Sequence, residues 1–246
     1  MTRFLVSMAM FVLMSIATQS ARADTVYDAV GDLTRQSMDA GNNPNGAWSY
    51  GYRNTVSSTD FSLFPEMTDA SWYWGTADVL MWTLPSATFS GVNKNFTGAT
   101  LRSVDITFPV DELLLHPGFD GNFAIVRWTA PEDGLYHLGT TFTSRYDPGD
   151  NEIYVVVDGS SVFHDTVHGP SIDPSQQSTT YTATLFLDSG TTIDFLVGET
   201  ATHWLGGACG FTAQVSEIPE PSTLVFLGVG AISLLGYVWR RRKRAA

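Results

Sequence analysis

The chain has 246 residues, with 13 Lys and Arg against 25 Asp and Glu and a single cysteine. Between residues 24 and 217 six cations face 24 acids, a net charge of −18; such a surface repels nucleic acid and anionic lipid and excludes nucleic-acid binding. One cysteine excludes an internal disulfide, so a domain outside the cytoplasm has to be held together by its core alone.

The chain opens Met1-Thr2-Arg3, continues with an apolar run over 4–16 and reaches Ala21-Arg22-Ala23 before Asp24. A charged start, a short apolar stretch and the small residues Ala21 and Ala23 at the cut define a secretory signal peptide over 1–23. The body, 24–217, is large enough to bury one core and is expected outside the cytoplasm as one domain. Residues 27–38 read as a short helix capped by Asp24 or Thr25 and weakened by Gly31. Residues 41–46, rich in Gly, Asn and Pro, read as a turn.

From there the period is two. Trp48-Ser49-Tyr50-Gly51-Tyr52 places three rings on one face of a strand. Residues 61–64, 79–82 and 103–108 follow as short strands. Strands 123–129 and 135–143, joined by Ala130-Pro131-Glu132-Asp133-Gly134, read as a hairpin. Strands 152–157 and 161–164 around Asp158-Gly159 read as a second. Strands 181–187 and 191–197 around Asp188-Ser189-Gly190 read as a third, and 211–215 completes the set. Roughly ten to twelve short strands, close turns and abundant Ser and Thr predict an all-β fold, an antiparallel β-sandwich of jelly-roll type. No repeating unit supports a β-solenoid.

Several clusters could carry chemistry. Trp48, Tyr50, Tyr52, Trp72, Tyr73, Trp74 and Trp82 lie close together in the chain, and flat rings stack well on sugars. If Trp72-Tyr73-Trp74 lies on a strand, the tryptophans face one side and Tyr73 the other. The group is then either a glycan-binding platform or part of the core; Trp128 reads as core. Asp147, Asp150, Asn151 and Glu152 set four oxygen-bearing side chains around a turn, which serves either as a loop for structural calcium or as an ordinary solvated turn. No G-x-S-x-G elbow and no H-E-x-x-H occurs. His116, His137, His164, His168 and His203 are scattered, and His164 and His168 would share a face only on a helix. No pair of acids is singled out for glycoside hydrolysis, and the body reads as non-enzymatic. Arg127, inside an apolar strand, either pairs with a carboxylate or faces solvent. Cys209, between Gly206-Gly207-Ala208 and Gly210, reads as a small core residue rather than a reactive thiol.

The chain ends in Ile218-Pro219-Glu220-Pro221, an uncharged run of 17 residues over 223–239, and Arg240-Arg241-Arg242-Lys243-Arg244. Two prolines within three residues break any regular element. As a helix the apolar run is ~25 Å long, the short end of a membrane span. Tyr237 and Trp239 suit the headgroup level, and the five cations suit the cytoplasmic side of the inner membrane. One C-terminal transmembrane helix over 223–239, with its basic end at 240–244, is therefore expected.

This order of parts resembles the PEP-CTERM sorting tail of Gram-negative bacteria. Pro219, Glu220 and Pro221 match its motif, the apolar run its anchor, and Arg240, Arg241, Arg242, Lys243 and Arg244 its basic end. The resemblance implies processing by an exosortase, a membrane-embedded cysteine protease, and a link with exopolysaccharide and the cell surface or extracellular matrix. Asn43-Pro44-Asn45-Gly46-Ala47-Trp48-Ser49-Tyr50-Gly51, Leu115-His116-Pro117-Gly118 and the stretch from Val126 to Tyr136 resemble a β-rich module found ahead of such tails. That module brings no activity with it. The last stretch is also loosely similar to a strand-turn-strand of carbohydrate-binding sandwiches. Two readings stand: a non-enzymatic surface or matrix protein sorted by an exosortase, or a glycan-binding sandwich on a plain single-pass anchor.

Overall fold

Alternating apolar and polar residues make strands of most of the body, because successive side chains on extended backbone point to opposite faces. The structure, a computed structural model, describes residues 25–57, 60–85, 90–118, 121–200, 207–219 and 223–244. The signal-peptide segment with Ala21 and Ala23, and Glu220 and Pro221 of the tail, lie outside the described residues. Val26–Glu217 forms one compact unit, and the tail from Ile218 belongs to a second.

The body begins with β1 (Val26–Asp28), a short helix α1 (Arg35–Asp39), β2 (Trp48–Arg53), β3 (Ser62–Leu63) and β4 (Glu66–Asp69). One helical turn, α2 (Ser71–Trp74), leads to β5 (Val79–Thr83), β6 (Gly91–Asn95), β7 (Leu101–Arg102), β8 (Thr107–Phe108) and β9 (Leu113–His116). The longer strands follow: β10 (Phe123–Thr129), β11 (Gly134–Ser144), β12 (Asp150–Val157), β13 (Ser160–His168), β14 (Ser178–Leu187), β15 (Thr192–Glu199) and β16 (Cys209–Ile218).

These strands build two antiparallel sheets and a small ribbon. The first sheet runs β14-β11-β16-β9-β6-β5-β4, with β1 also paired to β16; the second runs β13-β12-β15-β10-β2-β3. The ribbon is β7-β8. From β9 onward the chain changes sheet at every connection except β12 to β13. The inner faces meet in one core. Leu113, Leu115, Tyr136, Leu138, Phe142 and Phe211 come from the first sheet, and Trp48, Tyr50, Val126, Trp128, Ile153 and Phe195 from the second. Trp128 is fully buried and meets Tyr136 edge-on at 5.1 Å between ring centroids. Each such side chain contributes about 1.5–3 kcal/mol by leaving water.

The outer face of the second sheet is also covered. Ile125, Val156 and Leu196 are buried there beneath Phe61, Phe123 and Tyr154. Gly51 is required at this face, since a Cβ on it would lie 2.2 Å from the carbonyl oxygen of Ser62. Within this layer Asp194 accepts from two arginines on neighbouring strands. Arg127, its register partner, donates from Nε at 2.5 Å and Nη2 at 2.9 Å, and Arg53 donates from Nη1 at 2.9 Å. The Arg127 guanidinium also lies 4.0 Å from the centre of the Phe61 ring. Of the two readings of Arg127, the structure gives pairing with a carboxylate.

Several sequence expectations are corrected. The segments 123–129 and 135–143 are strands but not a hairpin: β10 lies in the second sheet and β11 in the first. The same holds for 181–187 and 191–197, which become β14 and β15 in different sheets. Turn residues fix where a chain reverses, but the shared core decides which strand becomes the neighbour. The hairpin β12–β13 does form, and Asp158 (φ 44°) and Gly159 (φ 80°) both take the left-handed conformation its tight turn demands. Instead of a helix over 27–38, β1 pairs with β16, and the Asp28 carboxylate then accepts from the amides of Val30 and Gly31. Only α1 is helical, capped by Thr34 and Ser37. Of the segment 103–108 only Thr107 and Phe108 form a strand, β8; residues 103–106 make the turn that joins it to β7, where Val104 is 94% exposed and has no core to join.

The tail helix α3 (Thr223–Arg244) forms where the apolar run predicts and continues through the basic end. Among the described residues no helix is long and apolar enough to cross a membrane. The uncharged stretch stops at Trp239, and ~25 Å of helix falls short of a hydrocarbon core of ~30 Å.

Replacing Asp194 with alanine leaves two guanidiniums facing each other under an apolar cover. Asp194→Ala is expected to lower unfolding free energy by about 3–5 kcal/mol, measured by urea denaturation.

Candidate functional site

Trp72, Tyr73 and Trp74 lie on a turn of helix, not a strand. The amides of Tyr73 and Trp74 both donate to the Ala70 carbonyl at 3.0 Å, and Gly75, at φ 70°, ends the turn. The Asp69 carboxylate accepts from the Ser71 amide at 2.9 Å, and hydrogen bonds from Ser71 hold its pKa below the ordinary carboxylate value. On a helix consecutive rings fan outward instead of alternating between two faces, so the strand-based assignment of faces does not hold. Trp72 is 57% exposed, while Tyr73 and Trp74 are half-buried. Tyr73 meets Trp72 and Trp74 edge-on at 5.8 and 4.9 Å, and Trp74 rests on Phe108 at 5.7 Å. A cavity of about 30 Å³ lies against these rings, bounded also by Met81, Asn93 and His116. His116 is buried, with Nδ1 2.8 Å from the Pro117 carbonyl, and burial pushes its pKa down. Of the other rings in the sequence cluster, Trp48, Tyr50 and Trp82 are buried in the core and Tyr52 packs against it.

The acids of the calcium loop suggested by the sequence, Asp147, Asp150 and Glu152, each have a separate partner. Asp147 accepts from the amide and hydroxyl of Ser171 at 2.9 and 2.6 Å. Asp150 pairs with His168 Nδ1 at 2.7 Å, and Glu152 accepts from the Tyr154 hydroxyl at 2.9 Å. Asn151, between them, is fully buried. Among the described residues no three His, Cys, Asp or Glu side chains are grouped to hold a metal ion. His164 and His168 both lie on β13, but His164 stacks on Tyr154 at 4.2 Å while His168 serves Asp150.

A second ion pair had no local signal in the sequence. Arg145 and Glu112, 33 residues apart, meet through two hydrogen bonds of 2.7 and 2.6 Å. Burial raises the Glu112 pKa, and Arg145 opposes that shift. A cleft of about 500 Å³ lies beside this pair, lined by Arg102, Asp105, Asp147 and Gln177 among others. Another, of about 600 Å³, crosses the outer face of the first sheet between Asp28, Asp111, His137, Thr141 and Gln214. Gly139 lines that second cleft, and a Cβ there would meet nothing within 4 Å.

In the tail, Pro219 follows the last residue of β16, and α3 exposes Tyr237, Trp239 and Arg240 to Lys243. Lys243 Nζ lies 4.1 Å from the centre of the Trp239 ring. The tail thus runs from a strand through a proline into a helix with a cationic end. Residues 217–243 match the PEP-CTERM protein-sorting motif, so the chain carries that motif in its tail. The match overlaps only Glu217 and Ile218, the last two residues of β16, and covers no other strand. No protein of curated function matches the chain.

Among solved structures, the body is similar to carbohydrate-binding modules. A family 35 module from an environmental isolate is 20% identical over 40% of this chain and 73% of its own, with a TM-score of 0.26. A family 35 module from Clostridium thermocellum is 14% identical over 56% and 87%, with a TM-score of 0.28. A CBM51 from Clostridium perfringens GH95, in complex with methyl-galactose, is 11% identical over 61% and 99%, with a TM-score of 0.35. Likeness at this level carries no argument about a ligand.

Cys209 is fully buried, and burial pushes its thiol pKa up. The folded protein is therefore expected to resist a thiol reagent such as DTNB, and to release one thiol equivalent only on unfolding.

Proposed function

We propose that this chain is a non-enzymatic exported protein of the cell surface or extracellular matrix, delivered by its C-terminal tail. The match of residues 217–243 to the sorting motif carries this reading. A signal peptide over 1–23, cut after Ala23, starts export. The tail then holds the protein at the inner membrane. Because the uncharged helix is short, the long Arg240 to Lys243 side chains reach back to the interface and extend its effective length. Pro219, Glu220 and Pro221 are the motif an exosortase recognises, and cleavage there passes the body to the surface, in company with exopolysaccharide. The end of the compact body at Glu217 supports this order of events, because a cut beyond it leaves every strand of the two sheets in place. The alternation of strands between the sheets supports a jelly-roll type for the body.

Intact-mass measurement on cells with and without the exosortase tests the sorting step. Loss of roughly 25 residues of mass, the length of the segment beyond a cut at the prolines, is expected only when the enzyme is present. Identical masses in both strains would leave a plain single-pass anchor.

One observation favours a second reading, in which the body binds glycan. Trp72 keeps more than half of its surface open although the rings beside it are packed. Trp72→Ala is expected to reduce retention on the producing cell's polysaccharide while changing stability by no more than about 0.5 kcal/mol. Trp128→Ala is expected to cost about 3–5 kcal/mol. Unchanged retention in Trp72→Ala would remove this reading.

A further inference from the structure

At one end of the second sheet three oxygen-bearing side chains share a row on the inner face. Asn151 and Glu199 are direct register partners across β12 and β15, which places their Cβ atoms ~4.5–5.5 Å apart. Asn122 lies two positions before Ala124, whose partner Val197 lies two positions before Glu199. Ala124, Ile153 and Val197 point into the core, and the period of two sends Asn122, Asn151 and Glu199 the same way. The turn that delivers Asn122 is fixed by the Gly118 amide, which donates to the Asn122 carbonyl at 2.8 Å.

The two amides are deeply buried, Asn151 at 0% exposure and Asn122 at 4%. Among the described residues the side-chain oxygens of both, and Asn151 Nδ2, make no hydrogen bond, and each of these atoms has less than 1 Å² of surface open to water. Buried polar atoms left this way are rare and destabilising. A bare cation answers the oxygens where a water does not fit, because calcium sits ~2.3–2.6 Å from its ligands and a water oxygen needs ~2.8 Å. The donors are amide and carboxylate oxygens, with neither imidazole nor thiolate, and that chemistry selects a hard cation. The excess of acids over 24–217 raises the local concentration of such ions.

We infer that Asn122, Asn151 and Glu199 hold a calcium-sized divalent cation between the two sheets. This site differs from the loop suggested by the sequence: of Asp147, Asp150, Asn151 and Glu152, only Asn151 takes part. Carbonyl oxygens complete the coordination. A single carboxylate places the affinity with that of extracellular calcium modules, a Kd of ~10⁻⁴–10⁻³ M. The inference stands apart from the sorting reading, since neither requires the other.

The test uses the full chain in detergent micelles, stripped with chelator and titrated with calcium by calorimetry and by thermal unfolding. One saturable site is expected, with a rise in Tm that equimolar magnesium does not reproduce. Asn151→Leu abolishes both the binding and the calcium-dependent rise, and Glu199→Gln weakens them. Asn151→Asp is expected to bind calcium roughly tenfold more tightly, because added ligand charge raises affinity, and to unfold below the unaltered protein when chelated. Absence of a saturable calcium isotherm overturns the inference. Equal effects of magnesium that persist in Asn151→Leu also overturn it, by identifying general screening of the acidic surface. A Tm raised by Asn151→Leu with and without calcium does so too, by identifying a dry unpaired amide.

Discussion

Without a disulfide, the body rests on one layer of rings and branched aliphatics pressed between two sheets. Every other structural choice serves that layer. Strands β10 and β15 give alternate residues to it, Ala124, Val126 and Trp128 on one and Ile193, Phe195 and Val197 on the other. The chain must keep crossing between the sheets to supply both walls, and the two crossings at 130–134 and 188–190 are where turn chemistry and core packing meet. A body this acidic works against its own compactness through self-repulsion, and the buried layer is what offsets it.

The second sheet differs from a usual sandwich wall in being buried on both sides. The outer layer of Ile125, Val156 and Leu196 excludes water from the carboxylate of Asp194, so that residue is stable as an anion only because two guanidiniums converge on it. Burial depresses the pKa of Arg53, and the charge of Asp194 opposes that shift. Arg53, Arg127 and Asp194 sit on three adjacent strands, so the cluster also fixes the register of β2, β10 and β15 against a slip of one residue, which would carry the charges into the apolar core.

Much of this was legible in the residues. The period of two located β2, β10, β12 and β15, the apolar run Val79-Leu80-Met81-Trp82 located β5, and Asp158-Gly159 located a true hairpin. The prolines and cations of the tail pointed to the sorting motif without help from structure. What could not be read was anything set by partners far apart in sequence. The strands β6 and β9 escaped because Gly-Val-Asn-Lys-Asn and Leu-Leu-Leu-His do not alternate, and both are buried throughout. Trp72-Tyr73-Trp74 looked like a strand because aromatic residues favour strands, whereas the amides of Tyr73 and Trp74 bond back to the Ala70 carbonyl and the left-handed Gly75 ends the turn, making it a helix. Asn122 and Glu199 carried no signal at all, since only the pairing of β10, β15 and β12 brings them near Asn151.

The position of β16 has a mechanical consequence. This strand leads directly to the tail, yet it is an inner strand of its sheet, flanked by β11 and β9 and further paired with β1. A pull on the tail is therefore applied along a strand gripped on both sides, with its hydrogen bonds lying across the direction of load. Those bonds share the force together instead of parting one after another, as they would on a peeled edge. Under the tethering proposed above, the body would resist drag at the point where it is held.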